Sequence, residues 1–285
     1  MIMNCQAFFA HHRWLRRWFY PLIAVVVALS VCLSTPMPGR AFDIRPLLFR
    51  GIQVIQISNM SDAQEVDLGR QINQQLRGNN IRFSRNSQIN QYVEQIGRRL
   101  VANSDRPQLP FTFQVVEDNT INAFATLGGF VYIHTGLIKA ADNEGELASV
   151  IAHEIGHIGG RHLVKQMRQS TIASGLVSAA GLDRNTAVGI GVELALNRPR
   201  SRQDEFDADN RGLRALTAAG YAPSAMVSFM EKLMQSGGSV PTFLSTHPGT
   251  GDRINALQSS INAQPRNQGD GLNDAAYRAQ IRSIL

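Results

Sequence analysis

His153-Glu154-Ile155-Gly156-His157 is the stretch from which the rest of this chain is read. On an α-helix, residues four apart are separated by roughly 40° of rotation, so both imidazoles project from one face. Two neutral ring nitrogens placed in this way hold one zinc ion, and Glu154 stands beside them within reach of a water on the metal. Zinc lowers the pKa of such a water toward about 7, where a carboxylate can take its proton. The surrounding sequence predicts the helix that the spacing needs. Asn143-x-x-Glu146 has the pattern of a capping box, and Leu147, Val150, Ile151, Ile155 and Ile158 follow as its apolar residues.

A catalytic zinc takes three protein ligands and keeps one position open. One local source for the third is His162, after Gly160. The extended motif, however, needs its histidine at position 163, which is Leu163, and on a continuing helix His162 points away from the ligand face. His162 therefore reads as a polar residue at a helix end. Glu205 is the better candidate, in Ser201-Arg-Gln-Asp-Glu-Phe-Asp-Ala-Asp209 on a separate helix predicted from about Arg202 to Ala219. Asp209, four residues on, shares its face and is placed to accept a hydrogen bond from the far nitrogen of a ligating histidine, fixing the tautomer. Asp204 and Asp207 read as the solvated side of that helix.

Outside this centre, the first forty residues do not read as part of the fold. A basic start (Arg13, Arg16, Arg17), an apolar run from Leu22 to Leu33 and a small-residue boundary near Ala41 have the layout of an export signal. The run is shorter than the roughly 20 apolar residues of a membrane anchor. The expected division is residues 1–41 as export signal or N-terminal anchor and 42–285 as one domain. The leader holds four arginines and no acids, so without it the formal charge falls from +6 to +2. The high pI then gives no support for a nucleic-acid partner. Cys5 and Cys32 also lie in the leader, which excludes a disulfide framework, thiol catalysis and thiolate-bound zinc from the remainder.

Within 42–285, Ser61-x-x-Gln64 opens a helix to about Gln75, and Gln88 to Val101 carries Ile89, Tyr92, Val93, Ile96 and Leu100 at helical spacing. Phe111–Val116 and Phe130–Ile133 read as strands. Residues 171–197, small, apolar and broken by glycines, read as loosely helical or a mobile excursion, and they are the candidate for contact with a membrane surface. Pro223 opens a helix reaching about Met234, Gly237 to Gly251 reads as a loop, Asp252 to Ile261 as a short helix, and Asn273 to Leu285 as a last helix or a frayed tail. Helices dominate a small sheet, so the fold class is α+β.

His153-Glu-x-x-His157 with Arg161-His162, Ser201-Arg-x-x-Glu205-x-x-Ala-Asp209, and Thr246-His247-Pro248 with Arg253 resemble the HtpX/BepA-like zinc metallopeptidases, relatives of the CAAX prenyl endopeptidase. Asn122-Ala-Phe-Ala125 followed by Gly128-Gly129-Phe-Val-Tyr132 resembles that family's edge strand. The resemblance runs from about Ser61 to Leu257. It implies a mainly helical gluzincin domain with one zinc per chain, Glu205 as third ligand and Glu154 as general base. It also implies an exported endopeptidase, in the periplasm or an equivalent compartment, acting on unfolded or misfolded envelope proteins. Unlike the integral membrane members, the chain has no strongly hydrophobic spans flanking the zinc helix, and no helical-repeat module follows the match.

His247 is read as a site residue, either stabilising the oxyanion of the tetrahedral intermediate or closing the zinc as a fourth ligand. Arg253 either orients acidic side chains near the metal or binds a substrate carbonyl. His134 reads as an exposed strand-end residue. An unfolded substrate is expected to pair along Phe130 to Ile133 as an added strand. The rival reading is a zinc-binding chaperone or scaffold with little turnover.

Overall fold

In the computed structural model, three short strands lie in the spatial order β1-β3-β2: β1 is Thr112–Val116, β2 is Ala123–Ala125 and β3 is Phe130–His134. The structure describes residue 57 and residues 60–79, 81–174, 184–235, 240–263 and 268–285. The 1–41 leader lies outside the described residues. β1 runs parallel to β3, from Thr112 opposite Phe130 to Val116 opposite His134. β2 runs antiparallel, with Ala123 opposite Ile133 and Ala125 opposite Val131. β3 is therefore the central strand. Its main chain is paired on both sides, which corrects the expectation that a substrate adds along Phe130 to Ile133; among the three strands, β2 borders the sheet on that side.

Alternation along β3 sends Val131 and Ile133 to one face and Phe130 and Tyr132 to the other. Each face is covered by helices, which leaves β3 buried throughout. The first face packs on α2 (Ser87–Val101) and α4 (Glu144–Gly159), through Ile89, Val93, Ile96 and Leu100 of the former and Leu147, Ile151 and Ile155 of the latter. α1 (Asp62–Gly78), α5 (His162–Ala173) and α6 (Arg184–Asn197) cover the second, with Ile72, Leu76, Leu163, Met167, Val188 and Val192. Burial of side chains of this size contributes about 1.5–3 kcal/mol each, which is what holds so small a sheet in place.

The helix starts follow the sequence closely. At Ser61 the hydroxyl accepts from Gln64 N–H while the Gln64 side chain accepts from Ser61 N–H, a complete capping box. Asn143 accepts from Glu146 N–H at the start of α4, but the Glu146 carboxylate turns away to Asp142 N–H and Lys232. The 171–197 stretch holds the end of α5 and all of α6, and Val188 and Val192 make α6 part of the core.

The chain continues through α7 (Arg202–Ala218), α8 (Ser224–Gln235), α9 (Thr242–Thr246), α10 (Thr250–Asn262) and α11 (Asp274–Ile281); a helix α3 (Thr135–Ala140) links β3 to α4. The expected loop from Gly237 to Gly251 is thus interrupted by α9, which leads directly into His247. α11 is docked, with Tyr277 and Ile281 buried and the Tyr277 hydroxyl donating to the Ile138 carbonyl at 2.6 Å. Among the described residues no helix is long and apolar enough to cross a membrane.

Candidate metal centre

α4 makes its most extensive contact with α7. Gly156 lets their main chains touch: a Cβ there would lie 2.4 Å from the Ala208 carbonyl oxygen. The glycine inside the His-Glu-x-x-His motif therefore brings the face of α7 that carries Glu205 and Asp209 against the two histidines.

The resulting cluster is tight and buried. His153 Nε2 and His157 Nε2 are 3.0 Å apart, and each lies 3.3–3.4 Å from a Glu205 carboxylate oxygen. His247, just after α9, puts its Nδ1 3.2 Å from His153 Nε2 and 3.1 Å from Glu205 Oε1. His153, His157, Glu205 and His247 each offer one ligand atom, all within 4.8 Å of one another, and all four residues are buried. Glu154 is fully buried beside them, and neither of its carboxylate oxygens has a hydrogen-bond partner. A buried carboxylate is costly without a hydrogen-bonding or cationic neighbour. Three imidazoles, one carboxylate and Glu154, whose nearest polar contact is His247 Nε2 at 3.5 Å, together fit a divalent metal of zinc's type with a water beside it.

Behind the cluster, Asp209 Oδ1 lies 2.9 Å from His153 Nδ1, so the other ring nitrogen, Nε2, faces the ligand atoms. Arg253 locks this arrangement. Its Nε and Nη2 donate to the two Asp209 oxygens at 2.6 and 2.7 Å, its Nη1 donates to the His247 carbonyl at 3.0 Å and pairs with Glu205 Oε2 at 2.8 Å, and it is only 1% exposed. Of its two expected roles, this geometry places Arg253 on the acids and away from solvent. Burial alone would raise both carboxyls. Arg253 and His153 hold Asp209 below its usual range, and the surrounding imidazoles hold Glu205 well below. Burial likewise opposes charge on His153, but Asp209 and Glu205 outweigh it and raise its pKa to about 9, whereas burial drives His157 well down.

Peptidase family M48 matches residues 87–261, a span that includes every residue of this cluster. The chain belongs to that family. It is 32% identical over 244 residues to the putative beta-barrel assembly-enhancing protease of Vibrio cholerae, covering 79% of this chain and 50% of that one. To the beta-barrel assembly-enhancing protease of Escherichia coli it is 32% identical over 221 residues, 72% of this chain and 45% of the relative. The chain thus spans about half the length of these two proteins. It is 27% identical to the E. coli metalloprotease LoiP over 252 residues, 84% of this chain and 97% of that one.

Four residues of this M48 chain stand differently from, or outside, their sequence reading. His134 is buried, not exposed, with Nδ1 2.7 Å from the Thr120 hydroxyl, and it lies outside the ligand cluster. His162 is no ligand, but it is fully buried, 2.8 Å from His157 Nδ1 and 2.9 Å from an oxygen of Asp207. Asp207 is therefore not simply solvated. Arg200, a residue without a role in the sequence reading, is buried at the end of β2: it donates to the Ala125 carbonyl and to Gln166, and has no carboxylate within 4 Å among the described residues. Only its position just before the Ser201 block could have drawn attention to it.

Proposed function

We propose that the protein is a zinc-dependent endopeptidase that hydrolyses unfolded or misfolded segments of exported proteins. The observation that carries this reading is Glu154, a buried carboxylate with no hydrogen-bond partner beside a His-His-Glu-His cluster. His153, His157 and Glu205 would hold the metal, and zinc supplies polarisation of a scissile carbonyl and a water nucleophile near neutral pH. Glu154 takes the proton from the attacking water and returns it to the departing amine. Asp209 and Arg253 hold His153 and Glu205 in place. The exported, envelope setting draws support from the leader-like start and from the names of the relatives, one being a beta-barrel assembly-enhancing protease.

Substrate pairing moves to β2. His134 N–H donates to the Asn122 carbonyl and Thr126 N–H to Phe130, so Asn122 and Thr126 face β3 while Ala123 and Ala125 turn their main-chain groups away from it. Ala123 and Ala125 are 0% and 2% exposed, so an extended peptide pairing there must displace what covers them. Such a peptide is held by its backbone, which suits a protease tolerant of side chains.

A second reading keeps a specific support. His247 lies within the ligand cluster, and a metal with all four positions filled by protein is typical of structural or latent sites. The test is casein degradation by the chain from Phe42 onward and by its Glu154→Gln variant, with the zinc content of both determined. Zinc in both with hydrolysis only by the parent is the expected result. Zinc in both with hydrolysis by neither would favour the latent or scaffold reading, and no zinc in either would sink the metal site.

A further inference from the structure

His157 and His162 are five residues apart, and a continuous helix would turn their side chains about 140° from one another. The helix does not continue. Arg161 adopts the left-handed conformation, with φ of 53°, and α5 begins afresh at His162. That turn swings the His162 ring beneath His157. The two Nδ1 atoms lie 2.8 Å apart, and His162 Nε2 lies 2.9 Å from Asp207 Oδ2 on α7. A left-handed non-glycine residue is strained and persists only where its surroundings fix it. Here the Arg161 side chain does so, pairing with the buried Glu65 at 3.1 Å and donating to the Met60 carbonyl.

We propose that His162 and Asp207 are positioning residues that fix the tautomer and orientation of His157 as a metal ligand, and that they carry this control out to the protein surface. The inference rests on the reading of His157 as a ligand. Its hydrogens can be assigned by elimination. His157 points Nε2 into the cluster, so for that nitrogen to offer a lone pair its hydrogen must sit on Nδ1. His162 Nδ1 must then accept, which places the His162 hydrogen on Nε2, where Asp207 receives it at 2.9 Å and Asp204 Oδ1 stands second at 3.5 Å. With the opposite His162 tautomer, two N–H groups would face each other at 2.8 Å and a carboxylate would face a lone pair. One arrangement satisfies every donor.

Two further features show that the relay is built into the fold. A Cβ on Gly160 would lie 2.2 Å from His162 Nε2 and 2.7 Å from Asp207 Oδ2, so any side chain there would wedge the pair apart. The two histidine ligands are also anchored differently. Asp209 behind His153 is only 3% exposed in its side chain and closed off by Arg253, whereas Asp207 at the end of the His157 relay is 36% exposed. Asp207 also accepts from Arg211 Nε at 2.7 Å, and Arg211 pairs with Asp105. A substitution in this exposed carboxylate–arginine group therefore reaches the metal through His162.

The experiment uses the full chain, with zinc affinity measured by competition against a chromophoric chelator and imidazole tautomers read by long-range ¹H–¹⁵N NMR of the zinc-loaded protein. The expected spectrum has His157 protonated at Nδ1 and His162 at Nε2. Loss of a ligand's hydrogen-bonding partner weakens metal affinity about 10–100-fold, the drop expected for His162→Leu, Asp207→Ala and Gly160→Ala. His162→Gln offers an amide oxygen to His157 Nδ1–H and should stay closer to the parent. Should His162→Leu fail to fold, the double variant Asp204→Ala/Asp207→Ala decides, because it removes both carboxylates from His162 Nε2 and leaves both buried rings intact. A His162 protonated at Nδ1, or parental zinc affinity in the Asp204→Ala/Asp207→Ala double variant, overturns the relay. A parent that binds no zinc defeats the metal-site reading and the relay with it. Zinc uptake without hydrolysis, with the expected tautomers and affinities, defeats the peptidase reading alone.

Discussion

Gly156 of α4 and Ala208 of α7 are in main-chain contact, and the position of Glu205 against His153 and His157 depends on it. A methyl group at 156 would stand 2.4 Å from the Ala208 carbonyl oxygen, and backbone cannot give way as the end of a flexible side chain can. Gly156→Ala must push the helices apart. Overpacking of this kind costs about 1–3 kcal/mol. The larger effect is expected on the metal, because the ligand atoms of two helices separate together. Equilibrium dialysis against zinc should show affinity down at least about tenfold, with the melting temperature lowered by several degrees. Parental zinc affinity in this variant would show that helix contact does not set the ligand geometry.

Arg253 is the cation on which two buried acids rely. Removing one member of a buried charge group costs about 3–5 kcal/mol, because the remaining charges are left without compensation. Arg253→Met keeps much of the volume, so a fall of that size in denaturant unfolding of the metal-free protein would report charge rather than packing. Zinc supplies positive charge beside Glu205 but not beside Asp209. The loss should therefore be smaller, though not abolished, in the zinc-loaded protein. Equal losses with and without zinc would detach Arg253 from the metal site.

The site should titrate with a characteristic sign. In the metal-free protein His153 has its pKa raised to about 9, above the unfolded value near 6.5. A raised base contributes stability that is fully present below pH 6.5 and is lost as pH rises through about 9. Asp209, held below its usual range, contributes stability present above about pH 3.9 and lost as the solution becomes more acidic. Metal-free protein should thus lose stability at both ends of the range. Zinc requires neutral His153, so uptake at pH 7 must release a proton, and apparent affinity must weaken as the solution becomes more acidic. Calorimetric titration in buffers of different ionisation enthalpy counts that proton, and a count of zero would contradict the pKa direction.

The sequence made one half of the site legible and hid the other for a physical reason. His153, His157, Glu205 and Asp209 could be placed because each pair lies within one regular helix, where spacing gives direction. His162 could not, since its direction depends on the left-handed Arg161, and nothing in an arginine announces a positive φ. Asp207 is half-exposed as read, but its hydrogen bond to His162 stays hidden with the direction of that ring. The strands were legible one at a time, but their order is a matter of contacts distant in sequence, and so central β3 was mistaken for a free edge. α9 was hidden by length, at five residues too short to show a period.

With β3 paired on both sides, β2 is the strand that borders the sheet for an incoming peptide. A peptide beside β2 meets main-chain groups from Ala123 and Ala125, two residues apart, with the Ala125 carbonyl already accepting from Arg200 at 3.3 Å. Pairing with a strand is periodic, so only alternate residues of the peptide turn their N–H groups toward the enzyme. A series of peptides, each N-methylated at one residue, should bind the zinc-loaded Glu154→Gln variant with alternating affinity. Methylation at inward positions should cost one hydrogen bond, about 0.5–1.5 kcal/mol or roughly a 2- to 13-fold loss, and at outward positions almost nothing. Ala123→Pro, which deletes one outward N–H of β2, should weaken the unmethylated peptide while leaving zinc affinity unchanged. A flat profile across the series would mean that substrates are held by side chains in some other groove, and that β2 is a structural border only.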